Sequence, residues 1–134
     1  MMYLVDTCVL SEARRGTPKA VAWLSMAPPD AVFLSTITIG EIMKGVAMKA
    51  RSDPAAAASL QRWLDELRLR YRPQLLPVDD SVAVAWGRIM GQRPRPMADA
   101  LIAATARVND KVLVTRNVAD FQEMGVELLN PWDL

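Results

Sequence analysis

Four carboxylates stand where they could assemble a reaction centre: Asp6, Glu41, Asp99 and Asp120. Asp6 directly follows the apolar run Tyr3-Leu4-Val5, and in open α/β sheets ligands bind beyond the carboxyl ends of the strands. The same placement also suits an Asp that caps a helix or turn. Asp99 lies in the stretch Met97 to Val108, where helical spacing puts Ile102, Ala103 and Ala106 on its face. A carboxylate on an apolar face is costly unless paired or metal-bound. The plainer explanations are a first-turn acid complementing the helix dipole, or a buried pair with Arg95 or Arg107. Glu41 points away from a stripe of Ile39, Ile42, Met43, Val46, Ala47 and Ala50, as a solvated glutamate does. Its own side, with Gly45, Met48 and Lys44, also suits a cleft wall. Asp120 closes the polar stretch Thr115-Arg116-Asn117-Val118-Ala119-Asp120, where a loop or N-cap Asp is the ordinary alternative.

If these acids converge, they offer only hard oxygen ligands, which suits Mg²⁺ or Mn²⁺ rather than zinc or copper. Such ions activate water, orient a phosphodiester and stabilise its leaving oxygen, so phosphodiester hydrolysis is the implied reaction. Composition leaves any catalysis to carboxylates, Lys, Arg, Tyr or hydroxyls. The chain has no histidine, which removes Ser-His-Asp and Cys-His catalysis and His-ligated zinc. Its single cysteine, Cys8, can form no intramolecular disulfide and no paired-cysteine metal site. No Gly-rich phosphate loop occurs.

The elements that must position the acids follow from pattern. Apolar runs at Met2 to Val5, Val32 to Ser35, Leu75 to Val78, Lys111 to Thr115 and Val126 to Leu129 read as strands. Helical patterns span Pro18 to Met26, Ile37 to Ala50, Pro54 to Arg70, Asp79 to Gln92 and Met97 to Val108, with start signals at Ser35 or Thr36, Asp53 and Asp79. Strands alternating with helices predict an α/β fold with a parallel sheet covered on both faces. The 134 residues, 51% hydrophobic and 23% charged, suit one globular domain spanning 1–134. The N-terminus has no signal-like region and no stretch reaches bilayer length, so a cytoplasmic location is expected.

A net charge of +1 gives no general attraction to nucleic acid, so binding would need a local basic patch. Arg93 and Arg95, just before the Asp99 helix, are the candidate phosphate grips. Arg68, Arg70 and Arg72 around Tyr71 fit a solvated helix end whose stems cover apolar surface. Trp23, Trp63, Trp86 and Trp132 read as core or interface anchors, and the Met43 to Met48 stretch suits either the core or a partner segment.

The four acids, in the contexts Leu4-Val5-Asp6-Thr7, Ile39-Gly40-Glu41-Ile42, Asp99-Ala100-Leu101-Ile102-Ala103-Ala104-Thr105-Ala106 and Thr115-Arg116-Asn117-Val118-Ala119-Asp120-Phe121, resemble the PIN-domain toxins of type II toxin-antitoxin modules. Within that group the chain is most similar to the VapC and FitB-like members, from Leu4 to Trp132. The resemblance implies a three-layer α/β/α domain with a mainly parallel central sheet. It implies a metal-dependent endoribonuclease in which Asp6, Glu41 and Asp99 bind Mg²⁺ or Mn²⁺, supported by Thr7, Thr115 and Asn117. It also implies a cognate antitoxin partner and toxin dimers, within a larger toxin-antitoxin complex. Two departures stand out. Many relatives carry an acid at Asn117, so Asp120 is taken as the fourth carboxylate, and Cys8 replaces the usual Asn or Ser. A PIN-like binding protein without turnover is the second reading. A metal-dependent phosphatase or phospho-acceptor ranks last, since no Asp-x-Asp nucleophile arrangement is found.

Overall fold

The computed structural model describes residues 1–134. Its strands are β1 (Tyr3–Val5), β2 (Val32–Ser35), β3 (Leu75–Leu76), β4 (Val112–Val114) and β5 (Leu128–Leu129). They form one sheet in the order β3-β2-β1-β4-β5, and every pairing is parallel. A parallel sheet needs both faces covered, and the alternation of β1 shows how that is met. Leu4 joins Leu113, Phe121, Ile89 and Ile102 in one apolar cluster, while Val5 joins Val114, Val9, Trp23 and Leu64 in the other. Successive side chains thus enter opposite layers, as the period of two requires.

The helices supplying those layers are α1 (Thr7–Arg14), α2 (Pro18–Met26), α3 (Thr36–Lys49), α4 (Pro54–Arg70), α5 (Asp80–Gln92) and α6 (Met97–Val108). Residues of α1, α2 and α4 cover one face and those of α5 and α6 the other, giving the expected α/β/α layering. Caps fall where the sequence put them. The side chains of Ser35, Asp53 and Asp79 accept from the amides of Ile37, Ala56 and Val82 at 3.0, 3.1 and 3.0 Å. No helix is long and apolar enough to cross a membrane.

Three expectations need correction. Helix α1 was not anticipated: it is 8 residues long, and only Val9 and Leu10 are buried, too little apolar periodicity to register as a helix. The buried row of α3 is Thr38, Ile42 and Val46, whereas Met43, Ala47 and Ala50 of the expected stripe are exposed. The row includes a polar Thr38 because its hydroxyl finds a partner in Thr7, 3.0 Å away. The runs around β3 and β5 pair over two residues each, as befits sheet edges.

Strand order reverses between β1 and β4, since β2 and β3 extend the sheet one way and β4 and β5 the other. The crevice at such a reversal, beyond the carboxyl ends of the two central strands, is where α/β folds place their ligands. Asp6 and Thr115 are the first residues past those two ends. Beyond Thr115 the chain makes a 3-10 turn, Val118–Phe121, anchored by a Phe121 side chain that is 1% exposed. Truncation by Phe121→Ala is expected to cost about 3–5 kcal/mol of unfolding free energy, measured by urea denaturation. A cost below about 1 kcal/mol would mean that this turn is not held through its aromatic anchor.

Candidate functional site

Asp6 is buried, and burying a carboxylate is costly unless donors replace its lost water. Two do so, on one oxygen. The Thr115 hydroxyl donates to Oδ2 at 2.8 Å and the Cys8 thiol donates to the same atom at 3.2 Å. Thr115 Oγ1 itself accepts the Asn117 amide at 3.0 Å, which leaves its proton for Asp6. Burial, reinforced by the neighbouring Asp6 charge, pushes the Cys8 thiol up to about 11, so it keeps its proton and remains a donor.

Glu41 is half-buried on α3 and is reached from α1. The Thr7 hydroxyl donates to its Oε1 at 2.8 Å and is hydrogen-bonded at 3.0 Å to the fully buried Thr38, one turn before Glu41. Thr7, Glu41, Gly45 and Lys49 line a cleft of about 250 Å³ together with Arg14, Arg15 and Trp63, so the side of α3 that carries Glu41 is a cleft wall. Sequence reasoning missed Thr38; the signal available was a short polar residue three positions before Glu41 on the same helix.

Asp99 occupies the first turn of α6, half-buried. The pairs with Arg95 or Arg107 allowed by the sequence do not form. The two ion pairs of the protein are Arg15 with Glu12 and Arg93 with Glu123. Arg107 lies by Gly125, where a Cβ would meet its guanidinium at 3.1 Å. Arg95 donates from Nη2 to Gln92 at 3.3 Å, with Nε and Nη1 buried and unpartnered. Without a counter-charge, the Asp99 carboxyl is pushed from 3.8 to about 6 by burial, then by the charges of Asp6, Asp120 and Glu41 in that order.

All four carboxylates therefore share one electrostatic neighbourhood. Asp120 sits exposed on the 3-10 turn after β4, and Asn117, also exposed, opens that turn and accepts the Asp120 amide at 3.0 Å. As they stand, no three of these groups are close enough to grip a single ion. The donor set nevertheless fits a hard divalent cation, being all oxygen, with none of the four carboxylates in an ion pair.

The other candidates play structural parts. Tyr71 is buried beneath Arg70, whose guanidinium lies 5.4 Å from the ring centroid, and Trp23 is buried edge-on to Tyr3 at 5.1 Å. Met43 and Met48 are exposed on α3.

The PIN domain family model matches residues 3–127. The chain is 31% identical to Toxin FitB of Neisseria gonorrhoeae, covering 98% of this chain and 99% of that protein. It is 28% identical to VapC ribonuclease Y4jK of Sinorhizobium fredii, with the same coverage. Among solved structures, FitAcB from Neisseria gonorrhoeae superposes with a TM-score of 0.88 at 32% identity, over 99% of this chain and 100% of that one. FitAB bound to an IR36 DNA fragment gives 0.86 at 32% identity, over 99% and 97%.

The Asp99 shift carries a stability consequence with a definite sign. The folded state holds this proton more tightly than the unfolded chain, so the contribution to stability is full below 3.8 and is lost as pH rises through about 6. Asp99→Asn should therefore raise the melting temperature of the metal-free protein near neutral pH. The gain should vanish below 3.8, where the wild-type carboxyl is itself neutral. Melting scans across pH check this, and a lower melting temperature at neutral pH would count against an uncompensated charge.

Proposed function

Because the chain belongs to the PIN-domain family, among the VapC and FitB toxins of type II toxin-antitoxin modules, we propose that it is a Mg²⁺- or Mn²⁺-dependent endoribonuclease held inactive by a cognate antitoxin. The observation that carries the reading is the electrostatic convergence on Asp99. Three carboxylates from separate elements act on a fourth, and Asp99 has no ion-pair partner. Gathering like charges costs stability, and a divalent cation is the counter-ion whose binding offsets that cost.

Asp6, Glu41, Asp99 and Asp120 would hold the cation. When bound, it supplies activation of water and stabilisation of charge in an in-line displacement at phosphorus. The remaining work falls to residues of this chain. Thr115 keeps Asp6 turned towards the crevice and Thr7 keeps Glu41 in place. Asp99 must give up its proton before it can ligate, so below about 6 a cation would have to displace that proton and its apparent affinity would fall. Asn117 supports the site by shaping the turn that carries Asp120, accepting its amide. Phosphates of an RNA strand would meet Arg14, Arg15 and Lys49 in the Glu41 cleft, and Arg93 and Arg95 on the loop before α6 are the further candidates.

The partner reading rests on relatives. One similar chain belongs to FitAB bound to an IR36 DNA fragment, and another, 25% identical with a TM-score of 0.69, to a toxin-antitoxin complex from Klebsiella pneumoniae. A homodimer built from a single PIN-like domain, acting in the cytoplasm within such a complex, is the corresponding proposal here.

The test is cleavage of a mixed RNA panel by purified, antitoxin-free protein with Mg²⁺, Mn²⁺ or EDTA, beside Asp6→Asn and Asp99→Asn. Cleavage should require the metal, fall by about 100-fold in either variant, and decline as pH drops through about 6. Equal cleavage by wild type and both variants would sink the proposed centre. Absence of cleavage by folded protein that still binds its antitoxin would favour the binding-protein reading.

A further inference from the structure

We propose that Cys8 is a positioning residue for Asp6, its thiol acting with the Thr115 hydroxyl to hold Oδ2 so that Oδ1 is left for a cation. The inference rests on the reading of Asp6 as a metal-binding acid and adds a residue to which that reading gives no part.

Two observations carry it independently. The first is the double donation to one oxygen, 3.2 Å from Cys8 Sγ and 2.8 Å from Thr115 Oγ1, the two donors themselves lying 3.8 Å apart. The second is a bond that Asp6 does not make. It occupies the N-cap of α1 with the extended backbone that a cap requires, φ −66° and ψ 148°, yet its side chain accepts from no α1 amide. An Asp at that position ordinarily turns onto the amides of the first turn, as Asp53 and Asp79 do on their own helices. At Asp6 the carboxylate is diverted from the cap towards Thr115 and Cys8.

Helix α1 is what makes the diversion possible. It starts at Thr7 immediately after Asp6, and its opening residues reach opposite acids: Thr7 donates to Glu41 and Cys8 donates back to Asp6. Cys8 is a donor in this arrangement and not a ligand. Its proton is committed to the carboxylate, and a thiolate would favour soft metals over the hard cation that the acids suit.

The experiment measures Mn²⁺ affinity from the paramagnetic resonance signal of free Mn²⁺, on wild type, Cys8→Val, Cys8→Ala and Cys8→Ser. Valine keeps the approximate volume and removes the donor; serine restores one. Removal of an outer hydrogen bond to a metal ligand costs about 10–100-fold in affinity. Cys8→Val is therefore expected to weaken Mn²⁺ binding about 10-fold or more while the metal-free protein stays folded. Cys8→Ser should recover most of that loss, and Cys8→Ala serves should the valine variant not fold. Equal Mn²⁺ affinity in wild type and the donor-less variants overturns the proposal and leaves the nuclease reading standing. A serine variant as weak as valine overturns it too, by showing that shape and not donation matters. A thiolate-to-Cd²⁺ absorption band in the wild type would make Cys8 a ligand, again against the proposal. A wild type that takes up no Mn²⁺ removes the metal-dependent reading itself, and this inference with it.

Discussion

Four carboxylates, none of them in an ion pair, are drawn to one end of a buried sheet, and hydrogen bonds from neighbouring side chains hold two of them. The cost is legible at Asp99, whose carboxyl is pushed up to about 6 by burial and by the charges of Asp6, Asp120 and Glu41. Two of the acids are tied by hydrogen bonds to neighbouring hydroxyls or a thiol, and two are not. Asp6 is fixed by Thr115 and Cys8, and Glu41 by Thr7. Each tie is charge-assisted, the stronger class of hydrogen bond, and holds the acids in a set geometry in the absence of a metal. A cation bound there, as proposed, would meet two of its ligands already oriented.

Topology explains why these residues can be neighbours at all. Asp6, Glu41, Asp99 and Asp120 come from four segments spread over most of the chain: Asp6 follows β1, Glu41 lies in the second turn of α3, Asp99 in the first turn of α6, and Asp120 on the turn after β4. The reversal of strand order between β1 and β4 opens a crevice there. Asp6 and Thr115, the residues just past the two central strands, are brought within 2.8 Å by the parallel register that pairs Val5 with Val114. Had β1 and β4 slipped by one residue, Thr115 would face away from Asp6 and the adjoining apolar residues would exchange layers.

The sequence was most readable where a physical pattern repeats. Five strands, five helices and the caps at Ser35, Asp53 and Asp79 were visible because hydrophobic period and capping chemistry act locally. Asp6 was visible from its place after a strand, and Asp99 from the apolar face it shares. What escaped depends on contacts between elements. Helix α1 has too few buried residues to announce itself. The buried row of α3 is shifted because Thr38, polar by sequence, is satisfied by Thr7 from a distant segment. Glu41 looks solvated when α3 is read alone, and its tie to the other elements shows only when α1 brings a donor to it. The plain ion pairs open to Asp99 were excluded by the course of Arg95 and Arg107 in space, which no local pattern encodes.

The division between held and unheld acids also bears on how stability and function are shared. Asp6 and Glu41 grow from the framework: one leaves the central strand, the other lies on a helix whose buried row starts at Thr38. Asp99 and Asp120 sit at a helix start and on an exposed turn, with no side-chain donor assigned to either carboxylate. Uncompensated charge in such a place is affordable only because it is confined, and because apolar layers on both faces of the sheet supply the opposing stability. Loss of one cap or one tie, of order 1 kcal/mol, is a sizeable part of a net stability of about 5–15 kcal/mol. It follows that the arrangement most favourable for the metal-free fold and the one most favourable for cation capture are different. The hydrogen bonds from Thr7, Cys8 and Thr115 belong to the first and, on the proposed reading, would orient Asp6 and Glu41 for the second.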